Sequence, residues 1–303
     1  MILLIVFFTL HPRGLTLGTA TIWANSVFVL AAVAAGQAIV VMTRNLDLSV
    51  GSVLALTKCA AVLLVNGDAG QTALGILAVL AIGGLCGFVN GLIIVHGRIQ
   101  SIIATLATGS VYFGTALAIM PVPGGSVNEG LSEFATYDLW GMMPMALALL
   151  AGAIGLIWGP VRNGLLGRAI LATGSNEAAA FMSGLPVRRA KIGAYVLCGV
   201  FSALGGLFLA FQTMGGDANA GLPYTLNSIA AVVIGGVALS GGAGTVWGAA
   251  AGAMIIRTIG ALLFFTGIAP LAQPLIQGLG LVAAVGAGAI IALRTDNRLE
   301  LLK

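Results

Sequence analysis

Apolar residues run along this chain in stretches much longer than a buried strand needs, broken only by Gly, Pro, Asn or charge. The runs fall at about 1–11, 22–43, 48–66, 71–95, 100–120, 141–159, 192–212, 226–240, 245–266 and 271–293. A hydrocarbon core about 30 Å thick takes roughly 20 residues of helix, and most of these runs reach that length. The pattern predicts an all-α integral membrane protein, a polytopic bundle of about ten transmembrane helices in a single transmembrane domain over residues 1–303. Transmembrane β-barrels need short alternating segments, which these continuous runs are not. The first and eighth runs are the short ones. Ten apolar residues cover about 15 Å, so the first either continues through His11-Pro12 or belongs to a longer natural N-terminus. It does not read as a signal peptide, since no basic residue precedes it and no small-residue cleavage site follows.

Composition sharpens this picture. With 59% hydrophobic and 7% charged residues, the chain is far from the roughly 25% charged content of a soluble domain. Its 45 glycines fit helices that pack closely where no hydrophobic effect draws them together. Gly83, Gly87 and Gly91 recur every four residues in the fourth run, and Gly248 and Gly252 repeat the spacing in the ninth. The net charge of +4 is too small and scattered for nucleic acid, but its distribution sets an orientation. If the first run leads outward, one side collects Arg98, Arg162, Arg168, Arg188, Arg189, Lys191, Arg294, Arg298 and Lys303, with Arg44 close by. The other side keeps Arg13 beside Asp68, Glu129, Glu133, Asp138 and Asp217. By the positive-inside rule the first side is cytosolic, and both termini with it.

One segment departs from the apolar pattern. Residues 160–191 form the only long polar stretch, and they hold Arg162, Arg168, Arg188, Arg189 and Lys191. Ser175 is placed to cap a helix with Glu177 in its first turn and Ala178, Ala179 and Ala180 to propagate it. Gly184 fits a left-handed stop, with Pro186 following. The expectation is a short cytosolic helix of about two turns, far too short to span. It is either an ordinary ordered loop or a rigid knob for a cytosolic partner.

Other candidates are sparse. Cys59, Cys86 and Cys198 are far apart inside apolar runs, and His11 and His96 lack ligand-type neighbours, so neither a disulfide nor a metal site is expected. Nothing matches a phosphate-binding Gly-x-x-x-x-Gly-Lys-Ser/Thr loop, and no span carries paired carboxylates or a Ser/His/Asp set, so an enzyme is not expected. Lys58 and Arg257 lie within spans, where a central charge costs on the order of 2.5–3.5 kcal/mol. Each should face a partner or a wet cavity, or snorkel to the interface. In Asn45–Ser52, Asp47 and Ser49 read as caps for the third span, or as polar points beside a permeation path. The glycine-rich Ser240–Gly244 reads as a tight turn.

Five ordered segments carry a resemblance. They are LDLSVGS at 46–52, NGLIIVHGRIQSIIATL at 90–106, LGRAILATGSNEAAAFMSGLPVRRAKI at 166–192, AGLPYTLNSIAAVVIGG at 220–236 and LSGGAGTVWG at 239–248. Together they resemble the ribose-type branch of ABC importer permeases, the membrane subunits for monosaccharides and the autoinducer-2 signal. The resemblance implies a bacterial inner-membrane, multi-pass permease subunit of an ATP-driven sugar importer. It implies that Asn176–Gly184 lies in the loop that docks on the ATPase, with Asn176, Glu177, Ala178, Ala179, Phe181 and Gly184 as coupling residues. Asn90 and Asn227, inside two of the segments, join Asp47, Ser49 and Lys58 as candidates for the translocation path. No cofactor is expected on this chain, because ATP binds the partner. The implied partners are cytosolic ATPase subunits, a second permease chain (identical or not), a periplasmic or surface sugar-binding protein and the sugar. Two departures from the family pattern are Arg44-Asn45-Leu46 before the aspartate and Lys58 at a normally small or apolar place. The competing reading is a secondary transporter or facilitator of a small polar solute.

Overall fold

In the computed structural model the described residues are 2–10, 14, 16–139 and 141–265, with 275, 278 and 279. The tenth predicted run, 271–293, lies almost wholly outside them. Helix α1 (Ile2–Leu10) is followed by α2 (Leu17–Val41), α3 (Val50–Leu64), α4 (Ala69–Gly97), α5 (Ser101–Ile119) and the short α6 (Glu129–Thr136). After a two-residue hairpin of β1 (Asp138–Leu139) and β2 (Met143–Pro144) come α7 (Met145–Ala153), a π-helical stretch (Ile154–Trp158) and α8 (Gly159–Asn163). The rest is α9 (Leu165–Ser175), α10 (Glu177–Met182), α11 (Val187–Thr213), a 3₁₀ turn (Ala218–Gly221), α12 (Leu222–Ile234) and α13 (Val246–Phe265).

Six helical stretches among the described residues are long and apolar enough to cross a membrane: α2, α4, α5, the continuous Met145–Asn163, α11 and α13. Helices α3, at 15 residues, and α12, at 13, are shorter apolar elements. The predicted run 226–240 ends sooner, because Gly236 takes φ +77° and closes α12. There Gly236 N–H donates to the Val233 carbonyl and Val237 N–H to the Val232 carbonyl, the paired bonds of a Schellman stop.

Helix α2 is the pillar. Nearly all of it is buried, against α11, α13, α12 and α7. Phe28 stacks on Phe208 of α11 at 3.9 Å between ring centres. Trp23 donates its indole N–H to Thr258 of α13 at 3.0 Å. The glycine groove predicted on α4 receives α11: a Cβ at Gly83 would collide with the Gly199 carbonyl, one at Gly87 with the Tyr195 carbonyl, and one at Gly91 with Ile192. Gly252 of α13 meets the Ala231 carbonyl of α12 in the same manner.

The charges sort to two ends. The turns after α2 and α4 and the first turn of α11 carry Arg44, Arg98, Arg188, Arg189 and Lys191, and border one recess with α10. The opposite end has Asp68 capping α4 (its Oδ1 accepts from Gln71 N–H at 2.8 Å) and the acidic α6. Hydropathy gives no signal for α6 or the hairpin. Their anchors are polar: Ser132 donates to the Phe211 carbonyl at 2.7 Å, and Asn25 to the Thr136 carbonyl at 2.7 Å.

Because Gly87 sits directly on α11 backbone, Gly87→Val should destabilise the protein by about 1–3 kcal/mol, the usual scale of overpacking. Gly114→Ala, where an added Cβ meets nothing within 4 Å, is the matched control. Thermal melts of the purified proteins compare the two, and equal melting temperatures would contradict the packing described.

Candidate functional site

Between α2 and α3 the chain does not stay at the basic end. Residues 45–49 enter the bundle, where Asp47 and Ser49 are buried. Non-helical backbone at such depth needs partners, and three helices supply them. From α5, Thr105 Oγ1 accepts from Leu48 N–H at 3.0 Å and Ser101 Oγ from Leu46 N–H at 3.4 Å. Tyr195 of α11 donates to the Leu46 carbonyl at 3.3 Å. The Asp47 carboxylate turns back on its own chain, accepting from Ser49 N–H at 2.9 Å and Ser49 Oγ–H at 2.6 Å. Ser49 Oγ accepts in turn from Asn90 Nδ2 of α4 at 2.8 Å. Tyr112 of α5 shares its proton between Asn90 Oδ1, at 3.1 Å, and the Cys86 carbonyl, at 3.0 Å.

This differs from the expected cap. Ser49 occupies the N-cap of α3 but makes no side-chain bond to that helix. Its hydroxyl is already engaged by Asp47 and Asn90, so the pair secures the break instead. The sequence reading picked out Asp47, Ser49 and Asn90, and the structure brings these three together. It missed Tyr112, Thr105, Ser101 and Tyr195. Ser101 and Thr105 lie within a family-like segment, but tyrosines in apolar runs carry no such signal.

The other two path candidates lie elsewhere. Lys58 is 3% exposed on α3, and the opposite charge it feels is Asp217, beyond ion-pair distance. Asp217 Oδ1 caps the 3₁₀ turn by accepting from Asn219 N–H at 2.9 Å. That turn packs along α3, where Gly51 and Gly221 leave no room for each other's Cβ. Asn227 is half-buried on α12. Arg257 of α13 donates from Nη2 to the Tyr224 hydroxyl at 2.7 Å and lies over the same ring, 5.1 Å from its centre. Arg257 thus has a polar partner, whereas Lys58 makes no hydrogen bond or ion pair among the described residues.

The polar stretch 160–191 is mostly helix, a correction to its reading as a loop with one helix. Helix α9 was missed because Gly167, Arg168 and Gly174 mask its period, yet Gly167, Ile170 and Gly174 fall on one buried face. Helix α11 begins at Val187 instead of 192, with the basic residues in its first turn. The short helix itself is α10. Its cap is Asn176, not Ser175: Asn176 Oδ1 accepts from Ala179 N–H at 3.0 Å, while Ser175 ends α9 and donates to the Leu171 carbonyl. Gly184 has φ +76°, and Gly184 N–H and Leu185 N–H donate to the Phe181 and Ala180 carbonyls, a second Schellman stop. Lys191 of α11 holds Glu177 at 2.7 Å. Ala178 and Ala179 are exposed, but Ala180 turns inward. Phe181 and Met182 stand 73% and 87% exposed at the tip.

A bundle of membrane-length helices, broken where its neighbours can satisfy the backbone and carrying a short rigid helix outside the spans, defines a polytopic membrane permease. Residues 19–285 match the family described as branched-chain amino acid transport system / permease component, and the chain belongs to that family. It is 33% identical to the ribose import permease protein RbsC of Escherichia coli K12 over 293 residues, 94% of this chain and 90% of that protein. The RbsC of Bacillus subtilis 168 is 34% identical over 293 residues, 94% of this chain and 88% of its own. The autoinducer 2 import system permease protein LsrC of Enterobacter sp. strain 638 is 34% identical over 262 residues, 85% and 75% of the two chains. No solved structure gives a significant match.

Replacing Asn90 by Leu would leave Ser49 Oγ without its donor and send Tyr112 back to the Cys86 carbonyl alone. A buried polar group without its partner costs about 1–3 kcal/mol, so Asn90→Leu should lower the melting temperature and Asn90→Gln should not restore it. A melt unchanged in Asn90→Leu would show that the break is held by other means.

Proposed function

We propose that this permease is the membrane subunit of an ATP-driven importer for a sugar or related polar solute, and that a separate ATPase drives it through α10. The observation that carries the reading is α10 itself. It is six residues long, capped at one end and stopped at the other, and it ends in exposed Phe181 and Met182. Apolar side chains so displayed beside a basic, polar segment suit a protein partner. The substrate class follows the relatives, at about a third identity, that import ribose and autoinducer 2.

The basic end then faces the cytosol, with both termini on that side. The six long helices with α1, α3 and α12 are nine transmembrane elements among the described residues, and the tenth expected run, 271–293, lies almost wholly outside them. Energy passes from α10 by contact. Helix α9 leads into α10, and its Gly174 lies so close to the Met42 carbonyl and Gly242 N–H that a Cβ would overlap both. Gly242 N–H also donates to the Met42 carbonyl at 3.0 Å. A push on α10 thus reaches the end of α2, and through residues 43–49 the broken start of α3. We place the translocation path beside the breaks that begin α3 and α12. Asp47, Ser49 and Asn90 fix the backbone there, and Lys58 and Asn227 are its polar side chains. The working complex needs a second permease chain, ATPase subunits and an external binding protein.

Ala179→Arg tests the coupling. A long cation at this exposed alanine overpacks a close-fitting groove or is buried unpaired. The variant should insert normally, lose the ATPase on purification and lose uptake. If it keeps both ATPase and transport, α10 is an ordinary surface turn and the secondary-transporter reading returns.

Orientation has its own test. Cysteine introduced as Ser175→Cys, beside α10, should react with a membrane-impermeant reagent in inside-out vesicles and stay unlabelled in intact spheroplasts. The opposite pattern would invert the topology.

A further inference from the structure

At the basic end a recess of about 720 Å³ opens between the turns after α2 and α4 and the first turn of α11. Arg44, Arg98, Arg188 and Lys191 line it, against a single carboxylate, Glu177 of α10. Lys191 and Glu177 pair at 2.7 Å. The guanidinium groups of Arg44, Arg98 and Arg188 find no ion pair or hydrogen bond among the described residues. Three unpartnered cations therefore share one concave space.

The backbone adds to the positive field. Helix α5, 19 residues long, starts on this wall at Ser101 with no side-chain cap from Gln100. The amide N–H groups of its first turn, Ser101 to Ile103, have no acceptor among the described residues. Helix α11, 27 residues long, starts on the facing wall behind Pro186, again without a side-chain cap. Two positive helix ends and three free guanidiniums converge, which is the chemistry of an anion site. Arg44 and Arg98 also hold φ of +64° and +53°, left-handed values that arginine seldom adopts. Both conformations occur on the rim of this recess.

We propose that the recess is a phosphate-ester site. A tetrahedral phosphate has enough oxygens to engage several guanidiniums at once. The remaining walls include Leu46, Ile94 and Val187, which suit the organic portion of an ester over free inorganic phosphate. Two sources share that chemistry: an anionic lipid headgroup, or a soluble phosphate ester on the same side of the membrane. The site lies against α10, and a bound phosphate competes with Glu177 for Lys191. Occupancy therefore bears on how firmly α10 is tied to α11. The binding itself does not depend on the transport reading; only the side of the membrane does.

The test uses the full chain in phosphatidylcholine nanodiscs, without any ATPase, so that it is independent of the coupling variant. Melting temperature is read with phosphatidylglycerol added to the bilayer in one arm and with glycerol 3-phosphate in solution in the other. One probe should raise the melting temperature of the unmodified protein, and which one does so identifies the source. Arg44→Gln/Arg98→Gln should weaken that probe on the order of tenfold or more, given the loss of two charge-assisted contacts. Arg188→Gln, at an exposed first-turn position, gives a second reading if the double variant folds poorly. Arg162→Gln, outside the recess, should leave binding unchanged. No shift by either probe overturns the proposal, as does a shift that survives both the double variant and Arg188→Gln. If neither probe binds and the double variant fails to retain the ATPase, the recess is a protein-docking face and not a phosphate site.

Discussion

Backbone N–H and C=O groups carried into the interior of a membrane protein have no water to satisfy them, so each break in a helix must be matched by donors and acceptors from its neighbours. In this chain the break at residues 45–49 sets that demand. Leu46 and Leu48 give their amide N–H groups to Ser101 and Thr105, and Tyr195 gives its proton to the Leu46 carbonyl. Asp47 accepts the amide N–H of Ser49. These bonds fix how α4, α5 and α11 stand around α3, because a shift of any one strips a buried group of its partner. The short length of α3 follows as well. Part of its passage through the bundle is made by extended chain, held by others.

Close backbone approach makes this possible. Helix α11 must come near enough to α4 for Tyr195 to reach Leu46, and the glycines at 83, 87 and 91 allow it by removing the Cβ on the α4 side of the contact. Side-chain hydrogen bonds in such settings have modest individual worth, about 0.6 kcal/mol on average in measured membrane cycles. The role of the tyrosines and threonines is therefore register more than strength. Packing brings the helices together, and the polar bonds select one position along the groove.

The spans were legible in the sequence because membrane helices announce themselves by length and hydropathy, a signal that needs no tertiary context. The α4 groove was legible for the same reason, since its glycines repeat along one helix face. What hydropathy did not separate was a full span from a broken one. Run 48–66 looks like an ordinary span and run 226–240 only like a short one, yet α3 and α12 are shorter still, shaped by Gly236 and by partners distant in sequence. Asp47, Ser49 and Asn90 could be picked out as polar residues in an apolar field. Their joining into one chain of bonds could not, because Tyr112 and Thr105 read as ordinary members of an apolar helix. The cap of α10 failed by one residue, from Ser175 to Asn176, since both are good caps and only the end of α9 decides between them.

The same breaks lie on the route by which a push on α10 would travel. A continuous helix moves as a rod, whereas α9, the 241–244 turn and the end of α2 are separate pieces in direct backbone contact at Gly174, Met42 and Gly242. Glycine at 174 and 242 leaves no side chain between these backbones and the Met42 carbonyl. Beyond them, the interior bonds of residues 46–49 are directional and few, so a shift there would strip buried groups of their partners. If the ATPase docks on α10 as proposed, its stroke arrives where extended backbone is held by side chains of α5 and α11. The polar break is then both the element that fixes the resting arrangement and the element best placed to change it.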